Sequence, residues 1–310
     1  MTSDCANCGA RLSGEFCSAC GQARFRPEHR SLTHLAGELF DALTDFDSRI
    51  WRSLRALILH PGRIARDWNV GRRTYWISPI RLFLIVNLIY FAAPAMTDLS
   101  MPFWHQVRGE IYRDYAPESC AQADTASRCN WLGQAHSRWF EPLLRKKLDR
   151  EVALAKAQGR SFSLDTFAAR YNARSDAIGK LMVILLVPFV ALALGMVTWR
   201  SRRYFTEHFT VALGLVGFVL IFAQLILKPI IQIYQWAQER FGFMIPGAAN
   251  WMPWIVAFLF LYHFAATCRR CYQSRWWLAV AQGLAAMLAL TLTSIFIYRP
   301  IQFLLALISE

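Results

Sequence analysis

Long apolar stretches without charge dominate the second half of the chain. Val183–Val197, Val211–Leu227 and Trp276–Tyr298 contain no charged side chain. An α-helix rises about 1.5 Å per residue, so about 20 apolar residues cross a hydrocarbon core roughly 30 Å thick. The pattern therefore predicts about five transmembrane helices. They are Ile80–Met96, Ile178–Trp199, Phe209–Lys228, Trp251–Thr267 and Trp276–Tyr298.

Residues 24–79 have an amphipathic pattern instead. Apolar residues recur at helical spacing between residues 32 and 57, with arginines among the later ones. Arginine and tryptophan beside an apolar stripe are typical of a helix that lies in the headgroup layer of a membrane. After a break at Pro61-Gly62, the cationic and aromatic residues 63–79 lead into the first span. We interpret the segment as interfacial anchoring, with docking of a lipid headgroup or a partner as the alternative.

A long segment, residues 97–177, separates the first predicted span from the second. Pro142–Ala157 has apolar residues at helical spacing, and Leu164–Asn172 can continue as helix into the second span. Cys120 and Cys129 also lie in this segment. They form a disulfide if the segment lies in an oxidising compartment, or stay as two free thiols if it does not.

The distribution of arginine predicts the orientation in the membrane. The short connections 200–207 and 268–275 each contain three arginines, whereas 229–250 contains one and is rich in aromatic residues. Cationic short loops stay in the cytosol, and no secretory signal precedes the first span. We therefore expect a bacterial inner-membrane protein with a cytosolic N-terminus, an extracytoplasmic C-terminus and residues 97–177 outside. Residues 301–310 either lie along the outer interface or continue the fifth helix after a bend.

Composition supports the membrane assignment and narrows the classes of partner. Apolar residues make up 55% and charged residues 18% of the chain, and that charged share is below the usual quarter of soluble proteins. The net charge of +13 suggests nucleic acid as a partner. Most of the excess lies beside the spans, however, where cations set topology and contact anionic lipids. We therefore expect these charges to meet the lipid bilayer rather than nucleic acid.

The strongest chemical signal is a double Cys-x-x-Cys-Gly pattern formed by Cys5, Cys8, Cys17 and Cys20. Two such turns supply four thiolates from opposite sides, which suits tetrahedral Zn²⁺. The glycine after each pair suits a turn whose amides point at sulfur. Iron or a redox dithiol are the alternatives, and disulfides are disfavoured in a reducing cytosol. We predict a zinc ribbon over residues 1–23 that is folded by its metal and has no open coordination position for catalysis.

A second cysteine pair, Cys268 and Cys271, lies at the predicted cytosolic end of the fourth span. His263 precedes the pair, and His208 opens the third span from the same face. These four donors are a candidate second metal site, or a redox site through the two thiols alone. The alternative is that two small apolar thiols pack near a helix end, beside arginines that obey the topology rule.

Few polar residues lie inside the spans. Gln224, Lys228 and Gln232 follow an i, i+4, i+8 line, so they share one face of an α-helix. This stripe is either a solute path or a set of contacts between helices, with Lys228 reaching outward. No Asp or Glu lies inside a span, and the sequence has no phosphate loop, nucleophile elbow or His-Glu-x-x-His pattern. We expect a protein without enzymatic activity.

Several short motifs follow one another in a fixed order along the chain. They are the two Cys-x-x-Cys-Gly pairs, Gln22, Arg30, Asp47, Pro61-Gly62, Gly71-Arg72-Arg73, Tyr75, Pro79, Pro188, Tyr204 and Glu207-His208. This order resembles a family of uncharacterised bacterial membrane proteins with an N-terminal zinc ribbon. The likeness covers most of the chain apart from residues 97–177. It implies the class and topology of the protein but no activity and no catalytic residue.

The sequence therefore predicts an all-α membrane protein in five parts. These are a zinc ribbon (residues 1–23), an amphipathic interfacial segment (24–79) and a first span (80–96). A long outer segment (97–177) and a four-helix region with an interfacial tail (178–310) follow. We expect a scaffolding or regulatory module that meets a protein partner through the ribbon. The alternative is a ribbon-regulated transporter or permease-like bundle, which the lack of internal repeats disfavours. The oligomeric state is open.

Overall fold

The computed structural model describes residues 4–23, 49–92, 101–121, 125–201, 203–242 and 248–309. Residues 4–23 form turns with two isolated β-bridges, and the other described ranges are mainly helical. The described residues contain no β-strand, which confirms the predicted all-α class. Of the residues 32–57 that have apolar positions at helical spacing, those before Arg49 lie outside the described residues, and the others belong to a helix. The helices, in chain order, are α1 Arg49–Leu59, α2 Arg63–Asn69, α3 Pro79–Ala92, α4 Phe103–Gln106, α5 Gly109–Tyr115, α6 Pro117–Ala121, α7 Ala126–Cys129, α8 Ala135–Ala157, α9 Leu164–Met182, α10 Leu186–Val197, α11 Phe205–Phe222, α12 Lys228–Phe241, α13 Ala248–Tyr272, α14 Trp276–Thr293 and α15 Arg299–Ile308.

Four helical stretches are long and apolar enough to cross a membrane. They correspond to the second to fifth predicted spans and comprise Leu164–Val197, Phe205–Phe241, Asn250–Tyr272 and Trp276–Ile308. The first predicted span, Ile80–Met96, corresponds to the shorter helix α3. Its 14 residues reach about 21 Å, less than a hydrocarbon core of roughly 30 Å. Residues 93–96, the end of this predicted span, are not described. The described residues therefore contain four full-length spans and one shorter apolar helix rather than five spans.

Two of these stretches continue past the ends that the sequence predicted. α11 passes through a π-helical turn at Ala223–Leu227 into α12, and α14 passes through another at Ser294–Tyr298 into α15. Pro229 and Pro300 each occupy the first turn of the helix that follows. Proline lacks the N–H of a helical bond and crowds the preceding turn, and a wider π turn accommodates both defects. The expected connection 229–250 is therefore largely helical, and the C-terminal residues continue the last span.

The chain divides into two compact units, and the first contains residues 1–95 and 186–290. Helix α11 lies in its core and packs against α3 and α10. The side chains at these contacts are apolar and almost completely buried, as at Phe83, Val86, Val190, Leu194 and Val216. Burial of such side chains is the main stabilising contribution in any compact unit.

The second unit contains residues 96–185 and 291–310. Helices α4, α5, α8, α9 and α15 contribute to its apolar core, which includes Phe103, Leu148, Phe167, Tyr171 and Phe303. The C-terminal helix thus packs with the long predicted outer segment rather than lying apart as a tail. The predicted helices at 142–157 and 164–172 are parts of α8 and α9.

A disulfide joins Cys120 in α6 to Cys129 in α7. Beside it, a Cβ atom on Gly109 would lie 2.1 Å from the carbonyl oxygen of Cys129, so only glycine fits at this contact. The Gly109 N–H donates to the carbonyl of Trp131 at 2.8 Å and ties the turn after α7 to α5. Of the two alternatives for this cysteine pair, the structure contains the disulfide.

Candidate metal centre and its junction with the helices

The N-terminal ribbon consists of two turns with the same backbone hydrogen bonds. The first cysteine of each turn, Cys5 or Cys17, donates its N–H to a carbonyl five residues later, at 2.7 and 2.9 Å. Its own carbonyl accepts from the N–H of Gly9 or Gly21 at 2.8 Å. These glycines have φ of +77° and +71°, and no atom lies within 4 Å of where a Cβ would be. The turns therefore require glycine for its backbone conformation rather than for space.

The four cysteine sulfur atoms converge on one point. Cys5 and Cys20 have their sulfurs 3.6 Å apart, as do Cys8 and Cys17, and all four lie within 4.8 Å of one another. A tetrahedral zinc ion about 2.3 Å from each sulfur would hold neighbouring sulfurs about 3.8 Å apart. The arrangement therefore fits a single metal ion bound by four thiolates.

The thiols of this cluster differ in acidity. The backbone N–H of Gln22 and the side chain of Asn7 lower the pKa of Cys20 to about 6. The N–H of Ala10 has the same effect on Cys8, but hydrogen bonds with neighbouring sulfurs outweigh it and raise the pKa of Cys8 to about 12. A metal ion that binds all four sulfurs must therefore displace protons from the cluster.

Gln22 fastens the ribbon to the loop between α2 and α3. Its side-chain NH₂ group donates to the carbonyl of Gly71 at 2.6 Å, and its side-chain oxygen accepts from the N–H of Arg73 at 3.0 Å and the hydroxyl of Thr74 at 3.2 Å. The side chain is buried, and the backbone carbonyl of the same residue accepts from Cys17. One residue thus connects the cysteine cluster to the juxtamembrane segment.

The loop that receives Gln22 is supported by α1 and α2. Arg49 donates from Nη1 to the carbonyl of Thr74 at 2.9 Å. The indole N–H of Trp76 donates to Asp67 Oδ2 at 2.9 Å, and the backbone carbonyl of Asp67 accepts from Arg72 at 2.8 Å. The Gly-Arg-Arg motif, which we interpreted as cationic anchoring, therefore also receives the ribbon. The sequence carried no signal of this contact, because Gln22 and its partners are about 50 residues apart.

The turn between α1 and α2 packs against the ends of two long helices. Arg270 in α13 donates to the carbonyl of Pro61 at 2.7 Å. Asn69 donates to the carbonyl of Glu207 at 3.2 Å, and its side-chain oxygen accepts from the hydroxyl of Thr210 at 2.8 Å. Both arginine-rich connections therefore lie at the same end of the first unit as the segment that holds the ribbon.

The second candidate set of metal donors does not converge. The ring of His263 stacks on Phe218 with centroids 3.4 Å apart, and His208 Nδ1 lies 2.9 Å from the hydroxyl of Tyr272. Among the described residues, only the N-terminal cluster brings three or more His, Cys or carboxylate donors close enough to hold an ion. Cys268 and Cys271 are both buried, as expected for small thiols that pack near a helix end.

The three residues of the predicted polar stripe differ in exposure. Gln224 is buried, Lys228 is half-buried and Gln232 is exposed. The π turn at Ala223–Leu227 contains Gln224 and ends one residue before Lys228, so the helix here is wider than the ideal α-helix on which the stripe was drawn. The stripe stays a prediction.

Comparison with known proteins supplies one match. Residues 47–91 match a family model described as "Protein of unknown function (DUF3667)". The matched residues include α1, α2, the loop that receives Gln22 and most of α3. No curated protein and no solved structure matches the chain. The family match and the four-cysteine cluster together fit an uncharacterised family with an N-terminal zinc-ribbon-like site.

Proposed function

We propose that this protein is a membrane-anchored interaction module without enzymatic activity, whose cytosolic zinc ribbon binds a protein partner. The contact of Gln22 with the 71–74 loop is the observation that carries this proposal. A ribbon tethered by a flexible linker would need no such contact, whereas a ribbon that presents a fixed surface beside the membrane does. Four thiolates also leave a zinc ion no open position for a substrate, which supports a structural role.

The distribution of charge and thiols supports the proposed orientation. The ribbon-bearing segment contacts the arginine-rich connections through Pro61 and Asn69, and such connections remain in the cytosol. A four-thiolate site also needs reducing surroundings, which a bacterial cytosol provides. The Cys120–Cys129 disulfide is typical of an oxidising compartment, which supports an extracytoplasmic location for residues 97–177.

Affinity capture from lipid nanodiscs tests the proposal with four forms of the full chain. These are the native protein, Cys17→Ser/Cys20→Ser, Gln22→Ala and Ser18→Ala. The double variant removes two metal ligands, Gln22→Ala removes the docking contact but keeps all four thiols, and Ser18→Ala changes an exposed residue between two ligands as a matched control. Proteins that bind the native and Ser18→Ala forms should be absent from the double variant and reduced with Gln22→Ala. An identical set of bound proteins from all four forms would refute the interaction proposal.

A comparison of variants by their cellular phenotype distinguishes this proposal from a ribbon-regulated transporter. If the bundle conducts a solute, substitution of Gln224, Lys228 and Gln232 by leucine should impair the cellular phenotype as strongly as loss of the ribbon ligands. If the protein acts through its ribbon, the phenotype should follow Cys17 and Cys20 and be insensitive to the stripe.

A further inference from the structure

An open cleft of about 620 Å³ lies where the ribbon meets the juxtamembrane helices. Its walls come from three parts of the chain: the first turn of the ribbon, helices α1 and α2, and the loop that receives Gln22. The residues that line it are Asn7, Arg52, Arg63, Asp67, Arg72, Thr74, Tyr75 and Trp76.

Positive charge dominates this lining. Among the described residues, three guanidinium groups, those of Arg52, Arg63 and Arg72, and one carboxylate, that of Asp67, line the cleft. One oxygen of that carboxylate already accepts the indole N–H of Trp76 at 2.9 Å. A cleft lined in this way attracts an anion.

Two of the guanidinium groups are positioned by aromatic rings. The guanidinium carbon of Arg52 lies 4.3 Å from the centroid of the Tyr75 ring, and that of Arg63 lies 5.5 Å from the centroid of the Trp76 ring. Cation–π contact orients an arginine without using its N–H donors on a carboxylate. The planar donor groups therefore remain available to a ligand, and their fork geometry matches the oxygens of a phosphate.

The ribbon contributes to the same cleft through Asn7. This residue lies between the ligands Cys5 and Cys8, and its side chain also faces the sulfur of Cys20. Its position in the cleft thus depends on the metal-bound fold of the turn. Asn7 and the hydroxyl of Thr74 add neutral hydrogen-bonding groups to the three cations.

We propose that this cleft binds a phosphate group, carried either by an anionic lipid headgroup or by a soluble phosphorylated compound. The inference rests on the docked ribbon of the proposed function, because Asn7 completes the cleft only when the ribbon is in place. Bound phosphate would bridge the ribbon and α1–α2, so the ligand and the metal would stabilise the same junction.

Two titrations of the full chain test the proposal. In the first, inorganic phosphate is titrated calorimetrically into the protein in phosphatidylcholine nanodiscs. In the second, the protein is extracted from nanodiscs that contain phosphatidic acid, and native mass spectrometry counts the retained lipid with and without inorganic phosphate. Binding of inorganic phosphate without retained phosphatidic acid indicates a soluble ligand. Retained phosphatidic acid that the variant Arg52→Gln/Arg63→Gln loses indicates a headgroup in the cleft.

The decisive variant is Arg52→Gln/Arg63→Gln, and its matched control is Arg55→Gln/Arg66→Gln. Both pairs remove two exposed arginines from α1 and α2, but the control residues do not line the cleft. Loss of charge-assisted hydrogen bonds should weaken phosphate binding about tenfold or more in the first pair. The control pair should change it about twofold or less, because screened surface charges contribute little. Metal content should remain that of the native protein in both pairs.

Three results would overturn the proposal. One is an equal loss of binding in both pairs, which would indicate general surface electrostatics. Another is the absence of binding in both titrations of the native protein. A third is unchanged binding by Cys17→Ser/Cys20→Ser, since the ribbon would then have no part in the site. Failure of the protein-partner proposal would appear separately, as an unchanged set of captured proteins with phosphate binding intact.

Discussion

A single side chain, Gln22, connects the cysteine cluster to the segment between α2 and α3. Its amide satisfies one carbonyl and two donors of the 71–74 loop, while its backbone belongs to the second ribbon turn. Buried polar groups that lose a hydrogen-bond partner cost about 1–3 kcal/mol each. The docked ribbon therefore adds to the stability that α1 and α2 already give this loop.

Replacement of Gln22 by alanine should undock the ribbon without removing its metal. We expect one metal ion per chain as in the native protein, and faster hydrogen exchange at the backbone amides of Arg73 and its neighbours. The junction should lose about 1–3 kcal/mol, chiefly because the buried carbonyl of Gly71 loses its partner. Gln22→Glu, which keeps an acceptor but loses the donor to Gly71, should have an intermediate effect. Unchanged exchange in both variants would rule out the docking role.

Metal binding by the ribbon should strengthen as pH rises. The raised pKa of Cys8, about 12, means that this thiol is protonated at neutral pH without a metal. Because the bound form requires the thiolate, binding releases protons and the affinity falls on acidification. Zinc competition with a chromophoric chelator across neutral pH would measure this slope. A pH-independent affinity would contradict four-thiolate coordination.

His136, in the second unit, should make that unit sensitive to acid. Burial, with the positive charge of Arg299, lowers the pKa of His136 from 6.5 to about 4, and its Nε2 lies 3.2 Å from Gln106 Oε1. Between these pH values the unfolded chain binds a proton that the folded chain does not. Stability should therefore be full above about pH 6.5 and fall by about 3 kcal/mol as pH drops to about 4.

Thermal unfolding in detergent between about pH 7 and pH 4 would measure this loss. His136→Gln removes the titrating ring and should flatten the pH dependence in that window. If the variant keeps the native slope, another group is responsible.

Among the helices, the α1–α2 turn packs closely against α13. A Cβ atom on Gly62 would lie 2.9 Å from both the Cα and the carbonyl oxygen of Thr267. Gly62 also has φ of +72°. The Pro61-Gly62 break that the sequence indicated is therefore also a site where two backbones meet.

The variant Gly62→Ala should destabilise the protein more than Gly159→Ala. Both glycines have positive φ, +72° and +67°, but no atom lies near the Cβ position of Gly159. The backbone penalty alone should cost about 1–2 kcal/mol at Gly159, and overpacking should add about 1–3 kcal/mol at Gly62. Melting temperatures in detergent would measure the difference. Equal losses would mean that the turn moves away from α13 at little cost.

For the chain as a whole, the position of residues 97–177 relative to the membrane is the sharpest test of the topology. A reporter fused at Arg160 should lie outside the cytoplasm, and so should one fused at the C-terminus. A reporter fused in the 198–204 connection should lie in the cytosol. The first result would require the chain to cross at α3 and the residues that follow it, although described α3 covers only about 21 Å. A cytosolic reporter at Arg160 would refute the five-span prediction and put the arginines of 200–207 outside, against the positive-inside rule.

Properties that depend on neighbours in sequence were predictable for this protein. The four-cysteine cluster lies within about twenty residues, so the spacing of the ligands is enough to indicate where the sulfurs meet. Four spans followed from uncharged length alone, because a bilayer selects for continuous apolar stretches and not for any particular partner. The all-α class follows from the same constraint.

Properties that depend on distant residues required the folded chain. The docking of Gln22 joins segments about 50 residues apart, and no periodicity records which loop a ribbon will meet. The π turns before Pro229 and Pro300 were not predictable from apolar spacing, because that spacing was compared with an ideal α-helix. His208 and His263 contact the aromatic residues Tyr272 and Phe218 rather than forming a metal site with Cys268 and Cys271. Spacing along one helix fixes which residues share a face, but the packing of helices decides what that face contacts.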